Sequence, residues 1–365
     1  MTTEERIKEI EEEIQKTSYN KATQLHIGRL KAKLAQLKEE EIKRKSSGKK
    51  GEGYAVKKSG DATAVLVGFP SVGKSTLLNR LTDADSKVAA YEFTTINVVP
   101  GMMDYEGTRI QILDIPGIIA GASGGKGRGR EVLSIIRNAD LILILIDASN
   151  TKHLAAMEKE LYNAGIRLNQ NPPKVSIRKT DRGGVSVVAN VPLKKIDKRT
   201  IREILNVYGI HNANVALHED VTDDQFIDAI AKNRVYAPSI VILNKIDMLE
   251  RKRIDDAKKE LKQEVVEISA EKGINIEELK KRIFQKLGVI RVYTKRYGEK
   301  EASKEPMILK KGSTVREACE HVHRDLIKKF KYAQVSGKSA KFAGQVVGLS
   351  HVLEDGDVLT IVTSR

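Results

Sequence analysis

The chain has 365 residues, of which 40% are hydrophobic, so it can form a sizeable core in two or three domains. Its single cysteine, Cys319, excludes a disulfide within the chain and favours a reducing, cytoplasmic environment. The longest apolar run, Leu141–Ile146, is too short to cross a membrane. The formal net charge of +15 favours a phosphate-bearing partner, either RNA, DNA or an acidic membrane surface, with RNA or the ribosome preferred. The alternative is a lysine-rich surface that only aids solubility or reflects a hot habitat.

The first part of the chain carries two apolar stripes at helical spacing, separated by the turn-like segment TSYNKA. This pattern predicts a helical hairpin over residues 1–45, with an acidic first arm and a basic second arm. The basic, glycine-containing segment that follows predicts a flexible linker over residues 46–60.

From residue 61 the pattern changes to short apolar strands that alternate with helices. Such alternation predicts an α/β fold with a mostly parallel, doubly wound sheet covered on both faces. We assign this domain to residues 61–164 and 238–288. Its first predicted strand is Val65–Val67, and the others lie in the segments RIQILDIPG, ADLILILIDAS, PSIVILNKID and EVVEISA.

Residues 165–237 interrupt this alternation and predict an inserted α+β module that begins with a β-hairpin over KVSIRKTDRGGVSVVAN. Residues 289–365 combine strand, helix and further strands in a small C-terminal domain that resembles a β-grasp fold. The insertion is the best candidate for RNA contact, although its cations could also be a solvated face. Those cations are Lys174, Arg178, Lys179, Arg182, Lys194, Lys195, Lys198 and Arg199.

The segment GFPSVGKS, residues 68–75, fits Gly-x-x-x-x-Gly-Lys-Ser between a strand and a helix, the context that this phosphate-binding loop requires. Glycines let backbone N–H groups close around phosphate oxygens, and the helix N-terminus adds its positive dipole end. We expect Lys74 to reach the β- and γ-phosphates and Ser75 to bind Mg²⁺. The expected phosphate contacts are Gly68, Pro70, Ser71, Val72, Gly73, Lys74, Ser75, Thr76 and Gly117.

The tetrapeptide NKID, residues 244–247, follows a buried strand, where doubly wound sheets bind ligands. The Asp247 carboxylate can accept hydrogen bonds from the ring N–H and the exocyclic amine of guanine, whereas adenine offers no such pair. We expect Asn244 to brace the neighbouring loops and the stem of Lys245 to cover the ring. Ser269 and Ala270, in a later segment, would contact the guanine edge through their backbone.

Two further segments predict the parts that respond to the γ-phosphate. In DIPG, Asp114 ends a strand and can hold Mg²⁺ through water, and Gly117 can present its N–H to the γ-phosphate. The segment YEFTTINVVPG is the expected first switch, with Thr95 as the ligand of Mg²⁺ and Thr94 as the alternative. The expected Mg²⁺ site therefore combines Ser75, Thr95 and Asp114.

These motifs, in this order, resemble those of the translation-factor-like P-loop GTPases, and FPSVGKS, YEFTT and the glycine-rich run after DIPG resemble the Obg-related group. The whole layout, including NKATQLHIGRLKAKLAQL and GLSHVLEDGDVLTIV, resembles the developmentally regulated GTP-binding (DRG) proteins, in an archaeal-type member. The resemblance implies GTP and GDP as ligands, an insertion folded like a domain of a ribosomal small-subunit protein, and a C-terminal TGS domain. It also implies association with translating ribosomes. We expect the protein to be a monomer.

One position departs from many small GTPases, which place a water-orienting glutamine directly after Asp-x-x-Gly. Here Ile118 occupies that position, so we expect slow intrinsic hydrolysis unless segment 121–130, a potassium ion or a partner protein positions the water. Ser71 stands where related potassium-dependent GTPases often carry asparagine, which leaves potassium dependence open. An alternative function is an RNA- or ribosome-binding adaptor that uses GTP as a structural ligand with negligible turnover.

Overall fold

A computed structural model describes residues 2–46, 59–82, 98–115, 129–299, 301–323 and 325–364. These residues form two compact units. One unit contains the described parts of residues 1–54, 121–133 and 158–237, and the other those of residues 55–120, 134–157 and 238–365.

Helices and strands are numbered in chain order within the described ranges. The helices are α1 (Thr3–Lys16), α2 (Gln24–Ser46), α3 (Lys74–Leu81), α4 (Gly129–Arg137), α5 (His153–Asn163), α6 (Lys198–Val207), α7 (Asp223–Ala231), α8 (Arg251–Leu261), α9 (Ile276–Leu287), α10 (Val315–Val322) and α11 (Asp325–Lys328). The strands are β1 (Ala62–Val67), β2 (Val99–Tyr105), β3 (Thr108–Asp114), β4 (Leu141–Asp147), β5 (Ile166–Leu168), β6 (Val175–Lys179), β7 (Val185–Ala189), β8 (Ala213–Leu217), β9 (Val235–Ala237), β10 (Ser239–Asn244), β11 (Val265–Glu267), β12 (Val289–Thr294), β13 (Met307–Lys310), β14 (Phe330–Ser336), β15 (Gln345–Val347) and β16 (Asp357–Thr363).

The predicted α/β sheet is present, with six strands in the order β11-β10-β4-β1-β3-β2. All neighbouring strands are parallel except β2 and β3, which form an antiparallel hairpin. Strands β1 and β10 are buried along their whole length, as expected for apolar strands covered on both faces. Because the parallel strands run in register, β3, β4 and β10 end at the same sheet edge, with Asp114, Asp147 and Asn244 as their last residues.

The C-terminal sheet has five strands in the order β13-β12-β16-β14-β15, and helix α10 packs on it around the buried Cys319. Arg291 of β12 forms a paired contact with Asp355 and also contacts Glu106, in the turn between β2 and β3. Its guanidinium lies 5.3 Å from the centre of the Phe284 ring of α9. The C-terminal domain is therefore anchored to the hairpin of the six-stranded sheet.

The predicted β-hairpin at the start of the insertion is wrong. Strands β6 and β7 do not pair with each other, because β8 lies between them in a sheet of order β6-β8-β7. Strand β8 is antiparallel to β6 and parallel to β7, and the parallel pair is connected through helix α6. The alternating Val215 and Leu217 of β8 are buried in a core with Phe226, so this strand takes the central position.

The predicted N-terminal helices α1 and α2 are present, and α2 packs against α6 and α7 of the insertion. Gln24 donates to the carbonyl of Lys195 at 2.6 Å, and Gln36 donates to the carbonyl of Val207 at 2.9 Å. Ala32 of α2 belongs to the buried core of the insertion. The hairpin and the insertion, far apart in sequence, thus share one core.

No helix among the described residues is long and apolar enough to cross a membrane.

Candidate nucleotide-binding site

The phosphate-binding loop connects β1 to α3 and is folded around the ammonium group of Lys74. Lys74 Nζ donates to the carbonyls of Gly68 and Phe69, both at 3.0 Å. Burial lowers the pKa of Lys74, and the charge of Asp114 opposes that shift only in part. The loop therefore holds the Lys74 ammonium group in a partly desolvated position. An anion would interact more strongly with a cation there than with one in bulk water.

Both motif glycines are required by close packing. A Cβ atom at Gly68 would lie 2.7 Å from the carbonyl oxygen of Leu145 in β4. Gly73 has a φ of +95°, and a Cβ there would lie 2.5 Å from the side-chain nitrogen of Asn244. The second glycine thus brings the loop against the NKID segment, a contact that the motif alone does not reveal.

Other residues of the loop have separate roles in its structure. Val72 is buried in the core below the sheet edge, whereas Pro70 and Ser71 are exposed, and Ser71 has a left-handed φ of 64°. Phe69 stacks on His153 at the start of α5, with ring centres 4.3 Å apart. His153 belongs to no sequence motif, and its only signal is a position at a helix start far along the chain.

Ser75 and Asp114 lie together beside the loop. Ser75 Oγ donates to Asp114 Oδ2 at 2.9 Å, and Asp114 Oδ1 is buried with no hydrogen-bond partner among the described residues. Burial raises the pKa of Asp114, although the Ser75 hydrogen bond and the Lys74 charge oppose the shift. A buried carboxylate oxygen with a free acceptor next to a hydroxyl is a donor set that fits Mg²⁺.

Asn244 is 2% exposed and joins three segments. Its amide nitrogen donates to the carbonyl of Val72 at 2.8 Å, and its side-chain oxygen accepts from the backbone N–H of Ala270 at 3.0 Å. The phosphate-binding loop, the NKID segment and the segment at Ser269 are thus held together by one side chain.

Lys245 is fixed by the carboxylate of Asp147, which belongs to none of the predicted motifs. With a left-handed φ of 66°, it donates from Nζ to the carbonyl of Ser71 and pairs with Asp147, each at 2.8 Å. Burial raises the pKa of Asp147, but hydrogen bonds from Lys245 and Ser149 outweigh burial and hold the pKa below its ordinary value. The sequence feature that could have indicated Asp147 is its position at the end of the apolar run LILILI. In the sheet, Asp147 lies opposite Asn244.

Asp247 lies in a short 3-10 turn directly after β10 and stays partly exposed. A hydrogen bond from the Ser269 side chain holds the pKa of Asp247 below its ordinary value, and burial opposes this only in part. Lys272 approaches Asp247 at 3.8 Å. The carboxylate is therefore ionised near neutral pH and available as a double hydrogen-bond acceptor.

The predicted switch residues lie outside the described residues, as does most of segment 121–130. These switch residues are Thr94, Thr95, Gly117 and Ile118. The strands that flank these segments are described. Strand β2 begins at Val99, shortly after the first switch, and β3 ends at Asp114, directly before the second. Thr76, also predicted, is half-buried in the first turn of α3.

Three family descriptions cover most of the chain. Residues 63–179 match "50S ribosome-binding GTPase", residues 182–289 match "C-terminal region of MMR_HSR1 domain", and residues 290–363 match "TGS domain". Among solved structures, the YchF GTPase of Schizosaccharomyces pombe has a TM-score of 0.46 and 16% identity, over 84% of this chain and 99% of that one. That structural similarity is too distant to indicate function.

Sequence relatives are similar over the full length. The chain is 56% identical to an uncharacterized GTP-binding protein of Methanocaldococcus jannaschii, over 100% of this chain and 94% of that protein. It is 46% identical to developmentally-regulated GTP-binding protein 1 of Xenopus laevis and 43% identical to developmentally-regulated GTP-binding protein 2 of Homo sapiens, in both cases over 98% of each chain. The chain belongs to the developmentally regulated GTP-binding protein family, and it is a P-loop GTPase with a C-terminal TGS domain.

Proposed function

We propose that this protein is a Mg²⁺-dependent GTP-hydrolysing switch that works on ribosomes in the cytoplasm. One observation supports the nucleotide-binding part of this proposal. Direct hydrogen bonds bring three groups together at the same sheet edge: Lys74, the Ser75–Asp114 pair and the NKID segment. A partly desolvated cation, a carboxylate with a free oxygen and a guanine-type acceptor are the groups that a magnesium-bound guanine nucleotide needs.

In this proposal, Lys74 binds the β- and γ-phosphates, and the backbone N–H groups of the loop surround their oxygens. Ser75 and Asp114 would hold Mg²⁺, which neutralises charge on the phosphates, together with Thr95 or Thr94 of the first switch. Asp247 would accept from the ring N–H and the exocyclic amine of guanine.

We propose slow intrinsic hydrolysis, because Ile118 cannot orient a water molecule by hydrogen bonding. A potassium ion or a partner protein would then supply the missing orientation. The same property suits a timer that is triggered when the switch meets a large target.

The proposal that the protein binds ribosomes is supported by the positive charge of the inserted module. All eight cations of the insertion named above are exposed, and none forms an ion pair with another described residue. The family description over residues 63–179 also names ribosome binding. Cations without protein partners can neutralise RNA phosphates and release counterions, so binding should weaken steeply with salt.

The test is co-sedimentation with ribosomes in the presence of a non-hydrolysable GTP analogue, GDP or no nucleotide, at two salt concentrations. We expect the strongest binding with the analogue at low salt. Arg178→Glu combined with Lys179→Glu should reduce it, whereas the matched exposed pair Lys252→Glu and Arg253→Glu on α8 should not.

Equal binding in all three nucleotide conditions, without stimulated phosphate release, would favour an adaptor that holds GTP as a structural ligand. The ribosomal part is wrong if the protein binds no ribosomes in any condition.

A further inference from the structure

Arg80 connects the helix that begins at the phosphate-binding loop to the loop after β11. It lies in the last turn of α3, whose buried side is formed by Leu77, Leu78 and Leu81. From the exposed side, Arg80 Nε donates to the carbonyl of Ala270 at 3.0 Å, and Nη2 donates to the carbonyl of Glu271 at 2.6 Å. One planar guanidinium thus holds two successive carbonyls.

The Ala270 residue is held on both of its backbone groups. Its N–H donates to Asn244 Oδ1 at 3.0 Å, and its carbonyl accepts from Arg80. Because a trans peptide is planar with its C=O and N–H pointing in opposite directions, fixing the Ala270 carbonyl also fixes the direction of the Glu271 N–H. The rigid fork of arginine sets two such planes at once, which a lysine cannot do.

The rest of the loop adds a further restraint. Ser269 is fully buried, and its hydroxyl accepts from the backbone N–H of Lys272 at 3.1 Å. The Ser269 side chain also hydrogen-bonds Asp247. The segment 269–272 is therefore held by contacts to three side chains, Asp247, Asn244 and Arg80.

We propose that Arg80 is a positioning residue for recognition of the purine at position 6. The inference rests on the proposed function, in which Asp247 accepts from the ring N–H and the 2-amino group of guanine, and it adds the backbone N–H of Glu271 as the donor to the 6-oxo group. The N–H groups of Ser269, Ala270 and Lys272 already donate within the protein. By fixing the peptide planes, Arg80 aims an N–H donor at an oxygen, and a 6-amino group or a bare C–H at that position cannot accept from it.

The test compares the affinities of full-length protein for three triphosphates. Inosine triphosphate lacks only the 2-amino group, whereas 2-aminopurine riboside triphosphate lacks the 6-oxo group together with the ring N–H that Asp247 would bind. The loss of the Asp247 contact is common to the wild type and the variant, so the change in the GTP to 2-aminopurine ratio between them reports the 6-position. In Arg80→Ala, we expect the GTP preference over the 2-aminopurine nucleotide to fall about tenfold, the equivalent of one lost directed hydrogen bond. The preference over inosine triphosphate should stay unchanged.

Two variants serve as controls. Arg80→Lys keeps the charge but cannot span both carbonyls, so it should restore only part of the lost preference. Arg253→Ala removes an exposed arginine of α8 and should leave both ratios unchanged. Arg80 is itself exposed, so we expect the thermal midpoint of Arg80→Ala to match that of the wild type.

Equal weakening of all three nucleotides in Arg80→Ala would overturn the proposal, because it would indicate a general loosening of the site. An unchanged 6-position ratio would overturn it as well. If the wild type itself binds all three triphosphates alike, guanine recognition at this site fails first, and this inference fails with it.

Discussion

Asp114 in the nucleotide site and Asp228 in the inserted module are equally buried, each 6% exposed, yet their partners differ. Both oxygens of Asp228 accept from arginine, through Arg167 Nε and Nη2 at 2.6 and 2.8 Å and Arg234 Nε at 2.8 Å. Asp114 has one hydroxyl partner, and its second oxygen has none among the described residues.

Since these two carboxylates are equally buried, the unfilled acceptor of Asp114 is what distinguishes the candidate ligand site from the structural one. A buried carboxylate whose acceptors are all filled contributes to the fold, and removing it leaves arginines without partners. A buried carboxylate with an open acceptor reduces stability unless something else binds it. Four substitutions of aspartate by asparagine test this distinction, in decreasing order of expected effect.

Asp228→Asn should lower the free energy of unfolding by about 3–5 kcal/mol, because it leaves Arg167 buried without its counter-charge. Urea denaturation of the full-length protein measures the loss, and the affinity for GTP should be unchanged. Asp256→Asn, on the exposed side of α8, is the matched control and should leave both quantities unchanged.

Asp114→Asn should have the opposite effect, with nucleotide-dependent activity impaired and folding stability retained. We expect the Mg²⁺ concentration for half-maximal GTP hydrolysis to rise about 10-fold to 100-fold, the range for outer-sphere partners of a metal. Because burial raises the pKa of Asp114, its charged form costs stability, and that cost appears as pH rises from the ordinary aspartate value through the raised pKa. Thermal unfolding without nucleotide at neutral pH should therefore show no loss in the variant. A large loss of stability would contradict the distinction.

Asp147→Asn should weaken GTP and GDP binding to a similar extent, by about threefold to tenfold, since the Lys245 pair is partly exposed. The contribution of Asp147 to the free energy of unfolding is present above the ordinary aspartate pKa and is lost as pH falls through its lowered pKa. Urea denaturation across acidic pH measures that contribution, and nucleotide dissociation rates at neutral pH measure the loss of affinity. In a Lys245→Met background, Asp147→Asn should have no further effect, and an additive effect would show that Asp147 acts by another route.

Asp223→Asn is the most demanding case, because Asp223 is 1% exposed and has an open Oδ1 among the described residues, although it lies outside the nucleotide site. Its other oxygen accepts from Tyr19 at 3.3 Å, and Lys31 is 4.0 Å away. Burial raises the pKa of Asp223, so its charged form costs stability above the ordinary value.

We expect Asp223→Asn to change the free energy of unfolding at neutral pH by less than about 1 kcal/mol, in the stabilising direction, and to flatten its dependence on acidic pH. The response to Mg²⁺ should not change. A shift in that response would mean that an open acceptor in the inserted module influences the nucleotide site.

Much of the site could be predicted because its chemistry lies in short segments. The phosphate-binding loop and NKID each follow an apolar strand, and parallel strands end at one edge of a sheet. The functions of Thr95 and Ile118 remain predictions, since both lie outside the described residues.

The contacts that hold the site together could not be predicted in the same way. Asp147 binds Lys245 across two strands that are nearly a hundred residues apart, and Arg80 reaches a loop far along the chain. His153 is similar, since it meets Phe69 only through the fold. Each pairing depends on tertiary distance, which no local pattern records.

The amino-acid sequence alone specified the chemistry of this protein and the order of its elements, because motif spacing and hydrophobic periodicity are local properties of the chain. It did not specify that β8 would lie between β6 and β7, or that α2 would share a core with the insertion. Those arrangements minimise exposed apolar surface over the whole unit, and many strand orders are compatible with one periodicity. The open oxygen of Asp114 and the filled oxygens of Asp228 likewise became visible only in three dimensions, where a carboxylate meets its partners.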